Sequence, residues 1–122
     1  MSPIRVLLAD DNDIFRHGLR KLLESDARVV VVGEARDGLE VVNLAKRLSP
    51  DVILMDIRMP GQDGLAAARA IRACCPETKI IMLTSYDTVI LRDKAKKLTI
   101  DIYLPKSLSD EAILQQIQME VL

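Results

Sequence analysis

Apolar residues form five short runs, two of them interrupted by one charged residue, and the segments between the runs have helical spacing. The runs cover residues 4–9, 29–32, 52–55, 80–83 and 100–104. They are near strand length, and most are rich in Val and Ile, which favour strands. Continuous rather than alternating apolar character is typical of strands that are buried on both faces. The pattern therefore predicts an α/β fold, in which a doubly wound parallel sheet is covered by helices on both faces.

Two amphipathic helices are predicted after the first and second runs. Asn12 or Asp13 caps the first helix, which runs to about Glu24. The second helix follows the turn 37–38 and ends at 49–50, because the residue before a proline disfavours helical backbone. The side chains predicted to face the core from these helices are Ile14, Phe15, Leu19, Leu22, Leu23, Leu39, Val42, Leu44 and Ala45.

Three more helical segments follow along the chain. Residues 65–74 are rich in alanine, a strong helix former, and Pro76 stops this helix. Segment 86–98 is less regular and is rich in lysine near its end. A final helix begins near 109–111, where acidic residues suit the positive end of the helix dipole. Its predicted apolar face carries Leu114, Ile117 and Val121.

Polar residues stand at the carboxyl ends of four of the five runs. They are the pair Asp10 and Asp11, then Asp56, Thr84 and Lys106. Taken singly, each has an ordinary interpretation as a helix cap, a turn residue or a solvated side chain. Ligands of open α/β sheets bind outside the carboxyl ends of the strands, however, and all five residues would lie at that edge. Their joint placement predicts a functional pocket.

The residue types in this pocket point to metal and phosphoryl chemistry. Carboxylates held together repel one another unless a cation neutralises them, and hard oxygen ligands suit Mg²⁺ or Mn²⁺. Asp10, Asp11 and Asp56 are therefore a predicted metal site. A carboxylate is also a nucleophile toward phosphorus, and Asp56, alone at a central strand end, is the better candidate. Thr84 and Lys106 fit the hydrogen-bond donor and the positive charge that a phosphoryl group requires.

Length and charge narrow the class of protein. With 122 residues, the chain is expected to form one domain, 1–122, around one core. Its formal net charge of -1 gives no electrostatic reason for it to bind nucleic acid directly. No apolar run approaches the roughly 20 residues that span a bilayer, and the first residues lack a signal-peptide pattern. A cytoplasmic protein without membrane association is predicted.

Five motifs follow one another in a characteristic order. They are Val-Leu-Leu-Ala-Asp-Asp at 6–11, Asp-Val-Ile-Leu-Met-Asp-Ile-Arg-Met-Pro-Gly at 51–61, Asp-Gly at 63–64, Leu-Thr-Ser at 83–85 and Tyr-Leu-Pro-Lys at 103–106. This set resembles the receiver domain of bacterial two-component response regulators over essentially the whole chain. The sequences around Asp56 and at 83–87 are similar to those of the NarL/FixJ subfamily. Its members usually carry a carboxyl-terminal helix-turn-helix.

The resemblance implies a flavodoxin-like sheet of five parallel strands in the order 2-1-3-4-5. It also implies that Asp56 accepts a phosphoryl group from the phosphohistidine of a sensor histidine kinase. Asp11 and Asp56 would bind Mg²⁺, or Mn²⁺, directly, and Asp10 would bind it through water. The backbone carbonyl of Arg58 would complete the protein ligands.

The same resemblance implies a switch. Thr84 and Lys106 would turn toward the phosphoryl oxygens, and Tyr103 would swing inward as Thr84 moves. Phosphorylation would then bias the surface of the last two predicted helices and the last strand, and so alter contacts with a second copy or an effector. DNA would be reached only through an output domain beyond residue 122. Arg58 and Tyr86 should overhang the acceptor and govern the lifetime of the acyl phosphate.

The chain departs from this family before the switch aromatic. Receivers of the subfamily usually carry Gly-Ala, one residue, then Gly there, and Thr99, Ile100 and Ile102 occupy those places. Because glycine often ends a helix in the left-handed conformation, Thr99 should make that ending costlier. Pro105 also removes one backbone donor just before Lys106. The signalling surface is therefore expected to be unusual, while the pocket is complete.

Two other functions are considered. The stretch 7–9 leads into Asp11-Asn12-Asp13, which is close to the Asp-x-Asp signature of haloacid-dehalogenase-like phosphatases. Those enzymes also need a later acidic pair, whereas Asp101 stands alone, and their cap insertions are absent. The other alternative is a receiver-like interaction module that no longer accepts phosphate. The complete set of pocket residues argues against it.

Overall fold

A computed structural model of the protein describes residues 2–61, 63–84, 93, 97, 100, 102–107 and 110–121. Its strands are β1 (Ile4–Ala9), β2 (Val29–Ala35), β3 (Val52–Asp56), β4 (Lys79–Thr84) and β5 (Ile102–Pro105). Its helices are α1 (Asp13–Glu24), α2 (Gly38–Leu48), α3 (Gly64–Cys74) and α4 (Asp110–Val121). The predicted helix at 86–98 lies outside the described residues, apart from Asp93 and Lys97.

All five strands are parallel and lie in the order β2-β1-β3-β4-β5, which confirms the predicted fold class. The strand order reverses between β1 and β3, so the carboxyl ends of these strands flank the crevice where such sheets bind ligands. The predicted bounds of the last strand were wrong. Ile100 precedes β5 and packs against the core from outside the strand, so its apolar character reflects packing rather than pairing.

The sheet separates two cores. Leu7, Ile53 and Ile80 belong to the core that packs against α2 and α3. Their chain neighbours Leu8 and Leu54 belong to the core that packs against α1 and α4. Successive side chains of a strand point to opposite faces, so strands buried on both sides need apolar residues without interruption. This explains the continuous runs in the sequence.

Two residues predicted to face the core are exposed. Ile14 is 87% exposed and Leu39 is 59% exposed. The buried positions of α1 are Arg16, Leu19 and Leu23, a face from which Ile14 is turned away. In α2 the buried residues include Val41, Val42 and Ala45, and Leu39 lies away from that face. The prediction placed apolar side chains inward and left out a buried arginine.

Helices α1, α2 and α3 all begin at the carboxyl edge of the sheet with a side-chain cap. Asn12, rather than Asp13, caps α1 by accepting a hydrogen bond from the N–H of Phe15 at 3.0 Å. Asp37 and Asp63 cap α2 and α3 by accepting from the N–H groups three residues later, each at 2.8 Å. These caps fix where the loops around the edge end.

No helix among the described residues combines the length and the apolar character that crossing a bilayer requires.

Candidate functional site

The predicted pocket residues converge at one edge of the sheet. Asp10 and Asp11 follow β1, Asp56 ends β3, Thr84 ends β4 and Lys106 follows β5. One carboxylate oxygen from each of Asp10, Asp11 and Asp56 lies within 4.8 Å of the other two. The Nζ atom of Lys106 lies 2.6 Å from Asp10 Oδ2 and 3.1 Å from Asp56 Oδ2. Four strand ends thus supply three carboxylates, a hydroxyl and one ammonium group.

Exposure differs sharply among these residues. Asp10, Asp56 and Thr84 are buried, whereas Asp11 is exposed. Lys106 lies 4.6 Å from the centroid of the Phe15 ring, which covers its ammonium group on one side. Asp11 therefore faces the solvent side of the pocket, from which an ion or a phosphoryl donor would arrive.

Asp10 has partners at both of its carboxylate oxygens. Oδ1 accepts a hydrogen bond from the N–H of Asn12 at 2.8 Å, and Oδ2 pairs with Lys106. The backbone carbonyl of Asp10 accepts from Arg16 Nη1 at 2.7 Å. With both oxygens engaged, Asp10 is better placed to hold an ion through water than to bind it directly.

The carboxylate of Asp56 has longer contacts with its partners than the carboxylate of Asp10. Its Oδ2 accepts from Lys106, and its Oδ1 accepts a long hydrogen bond, 3.3 Å, from the N–H of Arg58. Burial raises the pKa of Asp56, and nearby Asp10 adds to this effect, while Lys106 opposes it. Because burial and a neighbouring carboxylate both disfavour the ionised form of Asp56, a cation bound beside it would stabilise that form.

Lys106 stays protonated despite its low exposure. Burial acts to lower its pKa, but hydrogen bonding to Asp10 and the charges of Asp10 and Asp56 outweigh burial, so the pKa is raised. The ammonium group is therefore a permanent positive charge at this edge.

The donor set fits a hard divalent cation. Mg²⁺ prefers oxygen ligands at about 2.0–2.1 Å, so opposite ligands of one ion lie about 4.2 Å apart. Carboxylate atoms within 4.8 Å of one another fit an ion that some of them bind directly and another binds through water. Two of the three, Asp10 and Asp56, are buried, which strengthens their attraction for a cation.

Strands β4 and β5 join Thr84 to Lys106 through the backbone. Thr84 pairs with Pro105, and the carbonyl of Thr84 accepts from the N–H of Lys106 at 2.8 Å. Pairing thus continues past the proline that lacks a donor. Tyr103 pairs with Met82 and is partly buried against the core on the α2 and α3 side. The backbone of Thr84 is thus hydrogen-bonded directly to the end of β5.

Of the two residues predicted to govern the lifetime of the acyl phosphate, the structure describes one. Arg58 is exposed and lies two residues beyond Asp56. Tyr86 lies outside the described residues, as does Thr99. The roles given to these residues stay predictions.

Two residues that shape the pocket had no predicted role in it: Gly64, noted only as part of the Asp-Gly motif at 63–64, and Arg16. Gly64 begins α3 against the end of β3, and a Cβ atom there would lie 2.3 Å from the carbonyl oxygen of Asp56. Arg16 is buried behind the Asp10 loop. Its spacing from Leu19 and Leu23 places it on the inner face of α1, which was the signal available in the sequence.

The molecule is thus a doubly wound parallel α/β domain with a group of carboxylates and a lysine at the ligand-binding edge of its sheet. Residues 6–118 match the response regulator receiver domain family, and the chain belongs to that family. It is a receiver domain of the kind found in two-component response regulators.

Relatives and solved structures agree with this assignment. The chain is 47% identical to the uncharacterized transcriptional regulatory protein YxjL of Bacillus subtilis, over 71% of the chain and 40% of YxjL. It is 52% identical to the transcriptional regulatory protein LiaR of the same organism, over 68% of the chain and 39% of LiaR. The matched segments therefore cover about two fifths of the length of each of these two relatives.

The signal receiver domain of the putative response regulator NarL from Mycobacterium tuberculosis has a closely similar structure. It is 31% identical, with a TM-score of 0.94, over 99% of this chain and 98% of that one. The comparisons give no support to the phosphatase or to the phosphate-independent interaction module.

Proposed function

We propose that this chain accepts a phosphoryl group on Asp56 from the phosphohistidine of a sensor histidine kinase. The observation that carries the proposal is the contact of Lys106 with both Asp10 and Asp56 beside exposed Asp11. Such a cluster places the nucleophilic carboxylate next to a fixed positive charge. Membership in the receiver family supports the same chemistry.

The transfer requires little of the protein beyond positioning and charge. An oxygen of Asp56 attacks phosphorus, the new O–P bond forms, and the P–N bond to histidine breaks, so the bonding electrons leave with the imidazole. Lys106 then pairs with a phosphoryl oxygen, and the Thr84 hydroxyl donates to another. A bound divalent cation screens the negative charge of the incoming group.

Mg²⁺, or Mn²⁺ in its place, is the proposed cofactor. Asp11 and Asp56 are its proposed direct ligands together with the carbonyl of Arg58, and Asp10 is its ligand through water. The engagement of both Asp10 oxygens supports this division. The long hydrogen bond that Asp56 Oδ1 accepts leaves that oxygen the more available of the two for a new ligand.

The proposed output is control of transcription through a helix-turn-helix domain outside this chain. The similarity to YxjL and LiaR, both named as transcriptional regulatory proteins, supports it. Thr84 and Tyr103 are the proposed switch residues, and a second copy of the chain is a proposed partner of the surface that includes β5 and α4. Arg58 and Tyr86 are proposed to set the lifetime of the phosphate.

Intact mass after incubation with Mg²⁺ and a small acyl-phosphate donor tests the acceptor. Wild type should gain the mass of one phosphoryl group, and Asp56→Asn should gain none. Glu77→Gln, which changes an exposed carboxylate before β4, is the control and should behave as wild type. A wild type that gains no mass would refute the proposal. Repeated hydrolysis of a generic phosphate ester would instead favour a phosphatase.

A further inference from the structure

Arg16 is a buried cation that phosphoryl transfer does not use. It is 5% exposed, although it lies in a helix next to solvent. Its guanidinium group contacts three structural elements. Nη1 donates to the carbonyl of Asp10 at 2.7 Å, Nη2 pairs with Asp13 at 2.8 Å, and Nε pairs with Glu34 at 2.8 Å. Burying a charged group so fully is costly unless all its donors have partners.

The contact with Asp10 concerns the loop that presents the two adjacent carboxylates. Asp10 N–H donates to the carbonyl of Ala35 at 3.0 Å, which extends the pairing of β1 with β2 by one step. The Asp10 carbonyl then accepts from Arg16, and the Asp10 side chain accepts from Asn12. With Lys106 at Oδ2, every polar group of Asp10 has a partner, and Arg16 is the partner of its backbone carbonyl.

Glu34 holds Arg16 in place. It lies on β2 opposite Leu8 of β1, two residues before Asp10. Its other oxygen pairs with Arg20, which lies one turn further along α1 and also pairs with Glu24 at 3.0 Å. The Arg20 side chain is 40% exposed, and it forms ion pairs with these two glutamates. Arg16 and Arg20 therefore share Glu34, but only Arg16 reaches the Asp10 loop.

We infer that Arg16 is a positioning residue for the metal-binding loop, with Glu34 as its anchor on β2. A planar guanidinium group can donate to a carbonyl and to two carboxylates at fixed angles, which one ammonium group does not match. Residues that orient metal ligands typically change metal affinity about 10–100-fold when they are replaced. The inference rests on the proposed function because it assigns the Asp10–Asp11 loop to a divalent cation.

Equilibrium binding of Mn²⁺ in the absence of any phosphoryl donor tests the inference. Free Mn²⁺ is counted by electron paramagnetic resonance at a temperature where circular dichroism shows every variant to be folded. Arg16→Gln should raise the Kd for Mn²⁺ by about 10–100-fold. Arg20→Gln, the matched control that loosens Glu34 without touching the loop, should keep the Kd within about twofold of wild type. If Arg16→Gln does not fold, Arg16→Lys takes its place and should give a smaller rise.

A kinetic experiment separates positioning from general damage. With a small acyl-phosphate donor, Arg16→Gln should need more Mg²⁺ for half-maximal phosphorylation of Asp56, and its rate should return to the wild-type value at saturating Mg²⁺. An unchanged Kd, an equal rise in Arg20→Gln, or a rate loss that persists at saturating Mg²⁺ would overturn the inference. The binding experiment also stands if Asp56 accepts no phosphate, because in that case only the proposed function fails.

Discussion

Two cations of low exposure, Arg16 and Lys106, hold the carboxyl edge of the sheet together at the scale of single residues. Lys106 is shared by Asp10 and Asp56, and Arg16 is shared by Asp13 and Glu34. A buried charge is stabilising only when its partners are in place. The acidic residues that pair with Arg16 and Lys106 therefore contribute to the stability of this edge as well as to the chemistry of the pocket.

Glu34 gives this arrangement a pH dependence. Burial acts to raise its pKa, but hydrogen bonds from Arg20 and Arg16 outweigh burial, so the pKa is lowered from its ordinary value of 4.5. A carboxylate with a lowered pKa contributes stability that is full above its unfolded pKa and is lost as pH falls through its folded pKa. Glu34→Gln should therefore lower the free energy of unfolding by about 1–3 kcal/mol at pH 7.

Urea unfolding of wild type and Glu34→Gln between pH 7 and pH 3 measures this effect. The difference between the two proteins should be constant above pH 4.5 and shrink below it. Glu77→Gln, at an exposed position, should show no such trend. A difference that stays the same down to pH 3 would contradict the assignment.

At the scale of elements, the start of α3 is fixed by its contact with β3. The N–H of Gly64 donates to the carbonyl of Ile57 at 2.6 Å, and the space for a Cβ atom at Gly64 is filled by the backbone of residues 56 and 57. Because backbone atoms move less readily than side-chain ends, a methyl group there would push α3 away from the acceptor.

Two glycine-to-alanine changes test this contact against each other. Gly64→Ala should lower the free energy of unfolding by about 1–3 kcal/mol, as overpacking does, and should slow phosphorylation of Asp56. Gly18→Ala lies in α1 with nothing within 4 Å of the new atom, and it should raise stability by about 0.5–1 kcal/mol. Thermal and urea unfolding check both values. Equal effects of the two changes would rule out the close approach at Gly64.

Much of the element map was predictable from sequence because strands buried on both faces leave an unmistakable run of apolar residues. Strand β1 was predicted to the residue, the cap candidates Asn12 and Asp13 located the start of α1, and the turn 37–38 located the start of α2. Ile14 was misplaced because helical spacing near the end of a helix does not fix which turn meets the sheet. Arg16 was missed because its burial depends on Glu34, which is distant in sequence. The pocket itself was predictable because parallel strands bring their ends to one edge.

At the scale of the whole molecule, the sheet separates two cores. Helix α4, which belongs to the proposed signalling surface, contributes to one of them. Helix α4 packs on the α1 side through Ile113 and Ile117, and Gln118 donates to Asp26 at 2.7 Å, near the turn after α1. The core on the other side contains α2 and α3. Changes in α4 are therefore expected to affect the core on the α1 side and to leave the pocket intact.

Ile117→Ala tests that division. Because the side chain is fully buried, its truncation should lower the free energy of unfolding by about 2–5 kcal/mol. Under folding conditions, phosphorylation of Asp56 should still reach the wild-type extent. Met119→Ala, on the exposed side of the same helix, should change stability by less than about 0.5 kcal/mol. Loss of phosphorylation in a folded Ile117→Ala protein would show that the cores are coupled more closely.

The contacts of Lys106 also bear on how reversible the response is. Its ammonium group already holds two carboxylates, so an arriving phosphoryl group exchanges one ionic partner for another. Under the proposed function, the free energy of that exchange is the difference between two ion pairs and is smaller than either of them. Because a ligand shifts a two-state equilibrium only by its differential free energy, we expect the response to phosphorylation to be graded and readily reversed.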